Sequence, residues 1–127
     1  MTDRLFAYGT LLPGQLRWRF LQPLVVDDGA PCSVPGALFD TGLGYPAAVF
    51  TSASPAGAVS GRVFRFRADR VDQALAEIDE VERVADEAYR RVRIDIDDHG
   101  SVWAYEYVGQ HRFPRIDGGS WVEHAGR

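Results

Sequence analysis

Lysine is missing from this sequence, and cysteine and methionine occur once each. Its 14 basic side chains are therefore all arginines, set against 18 acidic ones, for a formal net charge of -4. No basic stretch interleaved with aromatics stands out, so a nucleic-acid role has little electrostatic support. A single cysteine excludes an intramolecular disulfide, in keeping with a reducing, cytoplasmic setting. Cys32 also lacks the company a thiol nucleophile needs, since Pro31 and Pro35 bracket it and no histidine lies near in sequence. No apolar run approaches the roughly 18 residues that span a bilayer. Residues 1–4 lead into no long apolar core with a small-residue cleavage site, so no secretory signal is expected. The histidines His99, His111 and His124 match no metal-ligand spacing, and no Gly-x-Ser-x-Gly elbow occurs.

What is present is the material of one globular domain over residues 1–127, with 46% hydrophobic residues to build its core. Strand patterns dominate, over residues 5–8, 36–39, 45–50, 59–66, 89–96 and 101–108. Val59 and Val63 share one face of their strand, and Phe64 and Phe66 the other. Val92, Ile94 and Ile96 oppose Arg91, Arg93 and Asp95, while Trp103, Tyr105 and Tyr107 oppose Val102, Ala104 and Val108. Residues 97–100, Asp-Asp-His-Gly, read as the hairpin turn between these last two strands. Two helices are expected. One covers residues 15–21, turns Leu16, Phe20 and Leu21 inward and stops at Pro23. The other starts with Asp69 as N-cap and Asp72 three residues on, and carries the stripe Val71, Leu75, Ile78 and Val81. Together these elements indicate an α+β fold whose sheet curls towards a barrel, helped to bend by its glycines.

Two places carry chemistry. Directly after the apolar Leu5-Phe6-Ala7 comes Tyr8-Gly9-Thr10-Leu11-Leu12-Pro13-Gly14, a strand running into a glycine-bearing turn ahead of a helix. Such a junction offers consecutive backbone N–H groups to an anionic or carbonyl oxygen, and Gly9 allows close approach. Far along the chain, Asp79-Glu80-Val81-Glu82 closes the second helix. Three carboxylates at a helix C-terminus oppose the macrodipole, and a solvated acidic face is their plainest explanation. Glu82, however, stands where the chain leaves the helix for the sheet. A carboxylate desolvated in a cleft there would have its pKa raised towards neutrality, which suits a general base and acid.

These two features together resemble the γ-glutamylcyclotransferase-like family, including the γ-glutamylamine cyclotransferases and the plant AIG2-like group. The family's Tyr-Gly-Ser/Thr-Leu is matched by Tyr8-Gly9-Thr10-Leu11, and its later Leu-Asp-x-x-Glu-Gly by Ile78-Asp79-Glu80-Val81-Glu82-Arg83. The tyrosine at the head of the next strand is matched by Tyr89-Arg90-Arg91. Further similar pieces are Val34-Pro35-Gly36-Ala37-Leu38-Phe39, Tyr45-Pro46-Ala47, Val59-Ser60-Gly61-Arg62-Val63-Phe64 and Gly118-Gly119-Ser120-Trp121. Arg83 departs from the pattern: it stands where the family usually has glycine, and a cation there can reshape the turn or pair with Glu82.

The resemblance implies a mixed six-stranded β-barrel with flanking helices and a cavity between the 8–11 turn and Glu82. It implies a small-molecule γ-glutamyl substrate cyclised to 5-oxoproline with release of an amine, amino acid or peptide. Glu82 would be the general acid/base, with Tyr8, Gly9, Thr10, Leu11 and Tyr89 around the substrate. No metal or organic cofactor, nucleic acid or membrane partner is implied. Trp103, Tyr105, Tyr107 and residues 119–127 are candidates for a leaving-group pocket. The same fold also accommodates a non-catalytic small-molecule-binding module, or a biosynthetic enzyme that removes a γ-glutamyl group.

Overall fold

The strand β1 (Arg4–Ala7) is apolar towards both sides, and it occupies the centre of a sheet covered on both faces. It pairs antiparallel with β5 (Ala58–Arg65) and parallel with β7 (Gly100–Tyr107). Outside these, β2 (Ala30–Pro35) pairs antiparallel with β5, and β6 (Tyr89–Ile96) with β7, giving the order β2-β5-β1-β7-β6. The computed structural model describes residues 2–50, 57–82, 89–96, 98–109 and 112–125.

The period-two alternation of each central strand sorts its side chains into two cores. Leu5 and Ala7 join Phe64, Phe66 and Tyr105 in one, while Phe6 and Tyr8 join Val59, Val63, Val102 and Ala104 in the other. The first core is roofed by α2 (Val71–Val81), which buries Val71, Ala74, Leu75 and Ile78, and by Leu21 of the short α1 (Trp18–Leu21). Burial of Leu75 and Ile78 contributes about 1.5–3 kcal/mol each. The second core is closed by Leu38 of β3 (Ala37–Asp40), Ala48 of β4 (Pro46–Val49) and Trp121 of α3 (Trp121–Ala125).

The expected six-stranded barrel does not form; the fold is α+β, a mixed five-stranded sheet with a separate two-stranded one. β3 and β4 take each other as partners, from Ala37 opposite Val49 to Asp40 opposite Pro46, instead of extending the large sheet. β2 and β6 remain edges, with no ladder between them among the described residues. Pro31 and Pro35 have no N–H to donate, and their presence in β2 suits an edge.

Smaller differences have local causes. The helix expected over residues 15–21 is a single turn continued by a 3-10 turn, Gln22–Leu24, that contains Pro23. Leu16 is consequently 74% exposed and Phe20 41%, whereas Leu21 is buried as expected. Asp69 is not an N-cap, because a 3-10 turn, Ala68–Arg70, precedes α2 and no side chain caps the helix. The strand β2 went unmarked in the sequence because its prolines and Cys32 mimic a loop. The β6–β7 hairpin turns as expected, with Ile96 opposite Gly100, Gly100 at φ +73° and the His99 N–H donating to the Ile96 carbonyl at 2.9 Å. Arg83, the segment 84–88, the loop residues 51–56, Asp97 and His111 lie outside the described residues.

Candidate functional site

Where β1 ends in the middle of the sheet, the chain must turn away, and Tyr8 fixes the exit. Its hydroxyl donates to the Tyr105 carbonyl of β7 at 2.6 Å, and its ring meets Phe50 edge-on at 5.8 Å. Burial first, then the Glu82 charge, raises the Tyr8 hydroxyl well above its ordinary value, so it stays a neutral, fixed wall. The turn that follows is tied by Leu12 N–H to the Gly9 carbonyl at 3.1 Å and Arg17 N–H to the Thr10 carbonyl at 2.7 Å. The N–H groups of Gly9, Thr10 and Leu11 are not the donors of these turn bonds, which use Leu12, Gln15 and Arg17. Gly9 is required by close approach: a Cβ there would lie 2.7 Å from Cγ of Pro46.

Glu82 is the C-cap of α2, its N–H donating to the Ile78 carbonyl at 2.9 Å. The Val71-to-Ile78 stripe docks α2 on the sheet, and that docking delivers Glu82 to the mouth of the 8–11 turn. One pocket is lined by residues 8–11, Tyr45, Pro46, Tyr105 and Glu82 over a floor of Phe6 and Ala7. Its open volume is about 20 Å³, close to what one water fills, and the whole concavity with its mouth measures about 360 Å³. Glu82 is half-buried as a residue, keeping a surface towards the pocket, but its carboxyl is crowded by protein. Desolvation raises that carboxyl from 4.5 to about 7, against the opposing pull of the Arg17 charge.

Of the other tyrosines, Tyr105 lines the pocket and Tyr89 does not. The Tyr105 hydroxyl donates to Asp79 Oδ1 at 2.6 Å, and Arg91, lying 4.7 Å from the Trp103 ring, also reaches Asp79 at 3.6 Å. Burial and the Asp79 bond push the Tyr105 hydroxyl far up. Tyr89 works from behind: its hydroxyl donates to the Pro46 carbonyl at 2.8 Å, so Pro46 is held between Tyr89 and Gly9. Trp103 and Tyr107, candidates for a leaving-group pocket, turn elsewhere: Trp103 Nε1 donates to the Thr2 carbonyl, and Tyr107 meets the rings of Tyr89 and Phe113 edge-on. The terminal stretch packs in α3 on the opposite core, where His124 Nε2 meets Asp40 Oδ2 at 2.7 Å. Among the described residues no group of three His, Cys, Asp or Glu is placed to hold a metal.

Sequence reasoning missed Tyr45 and Pro46 as parts of the pocket lining, and Arg17 as the cation over the Tyr45 ring. Tyr45-Pro46 stood out only as a similar dipeptide, and its signal was its position at the end of a glycine-rich turn. Arg17 had no signal beyond lying nine residues after Tyr8.

Comparison with known proteins bears on the family and the fold. The family model for gamma-glutamyl cyclotransferase, AIG2-like, matches residues 5–123. The fold is similar to that of the uncharacterized protein PH0828 from Pyrococcus horikoshii, at 21% identity and a TM-score of 0.73 over 98% of each chain. It is similar to ytfP from Escherichia coli, at 28% identity and a TM-score of 0.64, covering 96% of this chain and 98% of that one. It also resembles YkqA from Bacillus subtilis, at 22% identity and a TM-score of 0.72, covering 98% of this chain but 41% of that one. Comparison with curated proteins finds no match.

Proposed function

The chain belongs to the AIG2-like gamma-glutamyl cyclotransferase family, and from that premise we propose that it converts a γ-glutamyl amine or peptide to 5-oxoproline and a free amine, with Glu82 carrying the proton. The observation behind this reading is a carboxyl raised to about 7 in the same pocket as the turn that bears three consecutive N–H groups. A base works best when its pKa lies near the working pH.

The substrate supplies its own nucleophile, so the reaction asks for no cofactor. The Glu82 carboxylate takes a proton from the substrate's α-ammonium, and the freed amine attacks the γ-carbonyl carbon. The new C–N bond closes a five-membered ring and the carbonyl π electrons move to oxygen. The N–H groups of Gly9, Thr10 and Leu11 hold that oxyanion, as preorganised donors do in acyl transfer. When the tetrahedral centre collapses, the γ-carbon bond to the leaving nitrogen breaks and Glu82 returns its proton to that nitrogen. The Glu82 carboxylate then takes the second proton from the ring nitrogen, leaving a neutral lactam, and passes it to the departing amine, which leaves as an ammonium. Holding the chain curled is itself a large contribution, since well-oriented intramolecular reactions gain up to about 7–11 kcal/mol. Tyr8 and Tyr105 act as neutral walls, and Tyr89 acts through Pro46.

The test is release of 5-oxoproline by the purified protein from a panel of γ-glutamyl amines and peptides. Glu82→Gln should lower kcat by about 10²–10⁴-fold while the protein stays folded. Turnover unchanged by that substitution would refute the role of Glu82. Binding of 5-oxoproline with no turnover of any substrate would favour a non-catalytic binding module.

A further inference from the structure

Arg17 lies just outside the pocket lining, over the ring of Tyr45, and nothing in the proton-transfer scheme uses its charge. Its backbone N–H ties it to the Thr10 carbonyl at 2.7 Å, so it moves with the 8–11 turn. Its guanidinium carbon sits 5.5 Å from the ring centre of Tyr45, a residue of the pocket lining. Arg65, Arg90 and Arg91 each have a carboxylate within reach, whereas Arg17 pairs with no carboxylate of a described residue. Its charge is nonetheless felt at both Glu82 and Tyr89, opposing the rise that burial causes at each.

The chemistry of the substrate says what this charge is for. The α-amine and the α-carboxylate of a γ-glutamyl group share one carbon, so an amine held at Glu82 brings its carboxylate to the same end of the pocket. A second negative charge beside Glu82 needs an unpaired cation there. A guanidinium stacked on an aromatic ring keeps its plane fixed and its N–H edge free for the two oxygens of a carboxylate.

We propose that Arg17, steadied by Tyr45, binds the α-carboxylate of the γ-glutamyl group and restricts the pocket to substrates that retain it. This deepens the reaction assigned above and rests on it for the identity of the ligand, while binding can be measured without turnover.

The test compares 5-oxoproline with 2-pyrrolidinone, the same lactam ring without the carboxylate, by calorimetry or NMR titration. The wild-type protein should prefer 5-oxoproline by about tenfold or more. Arg17→Gln should erase the preference, and Arg17→Lys, which keeps the charge without the fork, should retain part of it. In turnover, Arg17→Gln should raise KM for a γ-glutamyl amine and leave the poorer KM of the matching 4-aminobutanoyl amide unchanged. A full preference for 5-oxoproline in Arg17→Gln overturns the proposal, as does a wild-type protein that binds both rings equally. If no substrate turns over and Arg17→Gln still loses the preference, the recognition stands and the catalytic reading falls. If turnover is normal and the preference survives in a variant shown to be folded by its NMR spectrum, only the Arg17 assignment falls.

Discussion

The hydroxyl of Tyr105 donates a 2.6 Å hydrogen bond to Asp79, three residues before Glu82 on the same helix. β7 thereby grips the end of α2 one turn from the carboxyl on which the proposed chemistry depends. Tyr105→Phe keeps the ring in the pocket wall and deletes only the bond. It should cost about 1–2 kcal/mol of stability by denaturant titration, and should lower kcat more than it raises KM. A variant with normal kcat would show that this bond is structural only.

Glu82 sets a stability relationship with a definite sign. Its carboxyl has an ordinary value of 4.5 and rises to about 7 in the fold. Between those values the folded protein holds a proton that the unfolded chain has released, so stability falls as pH rises through the window. Glu82→Gln cannot ionise. It should melt a few degrees above the wild type at about pH 8, with the advantage shrinking towards about pH 4. Equal melting temperatures at the higher pH would mean that ionised Glu82 carries no burial cost.

Gly9 and Pro46 are in near contact, with an added Cβ falling 2.7 Å from Cγ and 2.9 Å from Cδ of the proline ring. The ring cannot retreat freely, because the Pro46 carbonyl is held by Tyr89. Gly9→Ala should therefore cost about 1–3 kcal/mol and displace the turn that presents the three N–H groups. A drop in kcat/KM larger than the drop in stability explains is the expected outcome. Wild-type kinetics in Gly9→Ala would show that the N–H groups are not held by this contact.

At the end of β3, the hydrogen bond from His124 holds the Asp40 carboxyl below its usual range, helped by the Gly42 N–H. Stability from a depressed carboxylate is present above its ordinary value and lost as pH falls through the lowered one. Asp40→Asn should lower the melting temperature at neutral pH and converge with the wild type in acid, which melting curves across the pH range would check; equal melting temperatures at neutral pH would show that the pair adds no stability.

Much of this was legible in the sequence, and the rest was not for physical reasons. The alternation of Phe64 and Phe66 against Val59 and Val63 revealed a strand buried on both faces, and the stripe from Val71 to Ile78 revealed α2. The pairing of β3 with β4 was not legible, because strand partners are chosen by long-range packing that local pattern does not encode. Prolines hid β2, and Leu16 and Phe20, though spaced like core residues, belong to a chain that makes only one helical turn. At the site, Glu82 and the 8–11 turn stood out as pieces from their local pattern, while their sharing of a cavity was implied only by the family resemblance, since it depends on how α2 docks. Arg17 and Tyr45 carry no local signature; only the stacking of one on the other brings them to notice.

The central claim is that Glu82 is a proton carrier poised near neutrality. It is tested most directly by following the Glu82 side-chain carboxyl carbon by NMR across a pH titration, beside the pH profile of kcat/KM. The account predicts a titration at about 7 for the carboxyl, matched by a rise in kcat/KM over the same range as the carboxylate forms. A Glu82 that titrates at the ordinary value of 4.5, or a kcat/KM profile flat through neutrality, would contradict it.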